Sequence, residues 1–89
     1  MVEYTILYSK EAQKDAKNLS AHGLAEKAKE LIEMIKYNPF QTPPSYEKLV
    51  GNLSGAYSRR INIKHRLVYQ VIEETKTVRI LRMWSHYGE

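Results

Sequence analysis

At 89 residues the chain is one domain with room for one modest core, and its 43% hydrophobic and 27% charged residues are ordinary for a folded protein. It has no cysteine, which excludes a disulfide framework and a thiolate metal site. No apolar run approaches the roughly 18 residues of a membrane span, and "MVEYTILYSKEAQKD" lacks the basic-then-apolar order of a signal peptide, so a cytoplasmic protein is expected.

The net charge of +4 is uneven. Residues 1–35 hold five basic and six acidic side chains, whereas residues 36–89 hold nine basic and four acidic ones. Between Lys36 and Ile72 the only acid is Glu47. A basic half with one isolated carboxylate points to a polyanionic partner, against the plainer reading of a solvated basic surface.

"VEYTILY" is β-branched and aromatic and reads as an opening strand. Ser9 stands where a helix N-cap belongs, with Glu11 in the first turn. The helix that follows carries a thin apolar stripe of Ala12, Ala16 and Leu19, and Gly23 is a natural stop. Leu24, Ala28, Leu31, Ile32 and Ile35 then follow one face of a second helix, and both stripes read as core. "NPFQTPPSYEKLVGNLSGA" breaks all periodicity, and its three prolines and two glycines predict an ordered loop without helix or strand. "YSRRINI", "HRLVYQVIE" and "KTVRILRMWS" read as three strands, with "EETK" turning between the last two. No internal repeat, low-complexity tract or linker is present. Residues 1–89 are therefore expected to form a single α+β domain. It should have an N-terminal strand and two helices, then a three-stranded antiparallel meander with the helices on one face and the first strand at its edge or within it.

Strand alternation puts Arg59, Ile61 and Ile63 on one face and Arg60 and Asn62 on the other. One side and rim of such a sheet would gather Arg60, Lys64, Arg66 and the terminal His86 and Tyr87, covered by the loop that carries Glu47 and Lys48. A carboxylate, guanidinium, imidazole and phenol are the parts for cutting RNA without a metal. A base takes the ribose 2′-OH proton, a cation stabilises the phosphorane-like transition state, and an acid protonates the leaving 5′ oxygen. Arginine matches phosphate oxygens, histidine transfers protons near neutrality, and tyrosine stacks on a base or donates a hydrogen bond. Each part also has a plain reading: a solvated loop glutamate, an inert terminal histidine, and Arg59 and Arg60 as exposed strand residues that blunt an edge. Tyr57, Tyr69 and Trp84 read as core or half-buried aromatics. His22 falls in the helix connection and His65 in a strand turn, neither with an assigned role. No metal-ligand spacing, P-loop or dinucleotide fingerprint is present, so no metal or cofactor is expected.

"EKLVGNLSGAYSRRINIKHRLVYQV" followed by "RMWSHY" resembles the Txe/YoeB toxins, within the RelE superfamily of bacterial type II toxin–antitoxin modules. The resemblance is clearest from Pro39 to Tyr87, and the front part agrees in element order and in "NPF". It implies a RelE-like fold and a cofactor-free, metal-independent endoribonuclease, an mRNA interferase that cuts messenger RNA on the ribosome and inhibits translation. It also implies a YefM/Phd-like antitoxin encoded nearby and an oligomer of toxin with itself or with that antitoxin. By motif, Glu47 in "YEKL" matches the general base and Arg66 in "HRLVY" the arginine on the scissile phosphate. His86 in the terminal "HY" matches the general acid, and Tyr87 the supporting aromatic. Lys48 and Arg60 match basic positions near the RNA, and Lys64, where many members carry an acid, is a further expected phosphate contact. Two rival readings are a ParE-like gyrase poison on the same fold, which would not need Glu47, Arg66 and His86, and a basic RNA- or ribosome-binding protein without catalysis.

Overall fold

The computed structural model describes residues 3–49 and 55–86. In chain order the elements are β1 (Thr5–Tyr8), α1 (Lys10–Ala21), α2 (Ala25–Tyr37), β2 (Tyr46–Lys48), β3 (Ala56–Arg60), β4 (His65–Ile72) and β5 (Thr77–His86). The strands form one sheet in the order β1-β5-β4-β3-β2. The β3–β4–β5 meander is antiparallel, as its three apolar runs predict, and β1 joins the edge parallel to β5.

Local chemistry sets the helix ends. Ser9 Oγ accepts the Ala12 N–H at 3.0 Å and donates to the Leu81 carbonyl at 2.8 Å, so one hydroxyl caps α1 and ties it to β5. Gly23, at φ +73°, takes the left-handed turn that separates the helices. The apolar stripes are core: Ala12 and Leu19 of α1 and Ala28, Leu31, Ile32 and Ile35 of α2 pack on Ile61, Leu67, Tyr69, Val78, Ile80 and Met83. Both helices cover this one face of the sheet. No described helix is long and apolar enough to cross a membrane.

Two details of the sequence reading are corrected. The loop after α2 contains a strand, because Tyr46–Lys48 pairs with β3 at the sheet edge in the register Tyr46↔Arg59, Glu47↔Ser58 and Lys48↔Tyr57. Three residues behind a proline run show no period of their own; the partner strand supplies the order. The strand from Tyr57 also stops at Arg60 instead of reaching Ile63. There the Asn62 Oδ1 accepts the N–H groups of Lys64 (2.9 Å) and His65 (2.7 Å), closing a turn that leaves Ile63 90% exposed.

Candidate active site

The strand registers sort the side chains. Tyr46, Arg59 and Leu67 stand abreast on the helix-covered face, as do Lys48, Tyr57 and Tyr69. The alternate rows, Glu47–Ser58–Val68 and Arg60–Arg66, occupy the opposite face. Glu47 Oε1 and Arg66 Nη1 form a hydrogen-bonded ion pair there. Arg66 Nη1 also lies 3.4 Å from the fully buried Ser58 hydroxyl. The Arg66 side chain is 15% exposed and that of Glu47 56%, so a well-embedded cation holds a carboxylate that solvent and ligands can reach.

Arg60 lies directly across from Arg66. Like charges opposite one another in a sheet are unfavourable. An anion seated between the two would be attracted by both. They open on a cleft of about 640 Å³ whose walls include Lys27 and Leu31 of α2, Pro44, Glu47, Arg60 and Arg66. Planar forked donors are suited to phosphate oxygens.

The structure thus brings Glu47, Arg60 and Arg66 together. Lys48 follows Glu47 on a strand and therefore faces the other side, exposed, beside Tyr57. Lys64 is exposed in the turn before β4 and is absent from the cleft walls. His86 closes β5 as the backbone partner of His65, one position beyond the Arg66↔Ser85 pair, so the last strand ends next to the start of β4. The His86 side chain and all of Tyr87 lie outside the described residues.

Four polar residues, in the cleft or in the packing behind the strands, had no clear sequence signal. Lys27 enters from the polar side of α2, where no pattern separates it from neighbouring lysines. Ser58 sits under the ion pair. Arg59, readable as an exposed edge residue, is completely buried. Asp15, in the polar part of α1, is 4% exposed and receives Arg82 Nε at 2.8 Å together with the N–H groups of Met83 and Trp84. His65, buried at the start of β4, stacks on half-buried Trp84 with ring centroids 3.8 Å apart, and His22 of the helix connection lies against the same indole. Among the described residues no three His, Asp or Glu side chains converge where a metal ion could be held.

A family described as "YoeB-like toxin of bacterial type II toxin-antitoxin system" matches residues 8–87. Toxin YoeB of Escherichia coli K12 is 39% identical over 64 residues, which cover 72% of this chain and 74% of that protein. The YoeB–YefM complex from Staphylococcus aureus contains a chain 35% identical, matched over 97% of this chain and 100% of that one with a TM-score of 0.79. A YoeB/ParE toxin from Agrobacterium tumefaciens, 27% identical, superimposes with a TM-score of 0.84 over 93% of this chain and 99% of that one.

Proposed function

The chain belongs to the YoeB-like toxins of bacterial type II toxin–antitoxin systems, and from that premise we propose that it is a ribosome-dependent endoribonuclease that cleaves messenger RNA without a metal. The observation that carries this reading is the pairing of Glu47 with Arg66 in the wall of a cleft, with Arg60 directly across from Arg66. The scissile phosphate enters the cleft and takes the place of the carboxylate at the Arg66 guanidinium, with Arg60 on its other side. Glu47, released but still adjacent, takes the ribose 2′-OH proton. The 2′ oxygen attacks phosphorus, the bond to the 5′ oxygen breaks, and His86 at the end of β5 protonates that oxygen. The products are a 2′,3′-cyclic phosphate and a free 5′-hydroxyl. Tyr87 supports the site, and Lys48 and Lys64 contact phosphates farther along the RNA.

The partner that silences the toxin is a YefM-like antitoxin, as the assembly of the S. aureus relative supports. The testing experiment is single-turnover cleavage of a defined messenger RNA on a programmed ribosome. Cleavage within codons by the parent, lost in Glu47→Gln and His86→Gln, is the expected result. A translation block with intact RNA would replace the enzyme with a binding protein, and loss of DNA supercoiling would replace it with a gyrase poison of ParE type.

A further inference from the structure

Arg59 heads the fully buried side chains of the described residues, yet its partners are all uncharged. Nη1 donates to the Pro44 carbonyl at 2.6 Å, Nη2 to the Pro39 carbonyl at 3.0 Å, and Nε to the Tyr69 hydroxyl at 3.0 Å. The Tyr69 hydroxyl in turn donates to the Pro39 carbonyl at 2.8 Å. The Tyr46 ring lies 5.0 Å from the guanidinium carbon, within an aromatic group that also holds Phe40 and Tyr57. Burying a cation without a carboxylate is costly, and an apolar side chain would fill the same space at less cost. The arrangement gains something else.

Pro39 and Pro44 bracket the loop that leads into β2, and Arg59 holds a carbonyl at each. It also faces Tyr46, its cross-strand partner, and Glu47 is the next residue. A three-residue edge strand has little pairing energy of its own. We propose that Arg59 is a positioning residue. By clamping the Pro39–Pro44 loop and Tyr46 on the helix side of the sheet, it fixes β2 so that Glu47 stands against Arg66 on the other side. Its relevance to cleavage rests on the reading of Glu47 as the base. Only arginine can supply three donors in a rigid fork; lysine keeps the charge but cannot span both carbonyls and the phenol.

The test uses the full chain with Arg59→Lys and, as a milder change that removes one hydroxyl, Tyr69→Phe. Hydrogen exchange should quicken at the amides of residues 46–49 and stay slow in β4 and β5. Single-turnover cleavage on the ribosome should fall roughly tenfold to a hundredfold, the scale of an ångström of misplacement, with ribosome affinity unchanged. In a Glu47→Gln background the same changes should cost nothing further, because they act through Glu47. Loss of equal size with and without Glu47→Gln would overturn the proposal, as would unchanged exchange at residues 46–49 in both variants. If Arg59→Lys does not fold, Tyr69→Phe decides by the same two readouts. Should Glu47→Gln alone leave cleavage intact, the assignment of the base fails, while the exchange result still decides whether Arg59 clamps β2.

Discussion

Glu47 and Arg66 are 19 residues apart in sequence and meet across three strands, with Ser58 between them. Each has a separable task in the proposed reaction. Glu47→Gln keeps the size of the side chain and removes the base, so cleavage should fall by about 10² to 10⁴ while ribosome binding persists. His86→Gln should cost a similar factor with the melting temperature unchanged; parent-like cleavage by a folded His86→Gln chain would remove the histidine from the mechanism. Arg60 has a different signature. Its side chain is exposed and faces Arg66, so Arg60→Ala should weaken binding to the ribosome–messenger complex and reduce its salt dependence by about one counterion. An unchanged slope of log affinity against log salt would exclude a phosphate contact at Arg60.

At the scale of elements, β5 runs farther than its neighbour β1, which pairs only as far as Tyr8↔Ile80. The edge left open beyond Ile80 is served by α1: the Ser9 hydroxyl takes up the Leu81 carbonyl, and the Asp15 carboxylate accepts the N–H groups of Met83 and Trp84. Asp15→Ala would remove the acceptor those N–H groups share, at a cost of about 2 kcal/mol, or roughly 10 °C in melting temperature for a domain of this size. The carboxylate also gives the fold an acid limit. Burial pushes the Asp15 carboxyl up, but the hydrogen bonds from Arg82 and the β5 backbone outweigh it and hold the group below its ordinary value. A group whose pKa is lower in the folded state contributes its full stabilisation above the unfolded pKa, about 3.9, and loses it as pH falls through the folded value. Denaturant titrations should therefore show the parent losing stability below about pH 4. Asp15→Asn should be weaker at neutral pH and flatter through that acid range. Equal acid slopes in parent and variant would show that other carboxylates set the limit.

For the whole molecule, the division of charge matters more than its net value. The half from Lys36 onward carries most of the cations and also most of the cleft, and Lys27 completes the ring from α2. An inhibitor must neutralise that basic face, which acidic side chains on a segment that folds on binding would do. Growth arrest on expression should be relieved by a small co-expressed antitoxin encoded nearby. Failure of every neighbouring reading frame to protect cells would count strongly against such a partner.

The sequence alone determined whatever is written within a few residues. The Ser9 cap, the apolar stripe of α2, the three long strands and the basic second half were legible because caps, periods and composition are local. Glu47, Arg66 and His86 were legible as candidates through their setting in "YEKL", "HRLVY" and "HY". Tertiary structure alone decided which of the cations share the cleft, since alternation on β2 turns Lys48 away from Glu47 and the Asn62 turn carries Lys64 elsewhere. It also decided β2 itself, and the burial of Arg59 and Asp15. The partners of those two residues lie 20 and 67 positions away, at Pro39 and Arg82. A polar side chain is worth burying only when distant groups complete its hydrogen bonds, and no local pattern records where those groups will be.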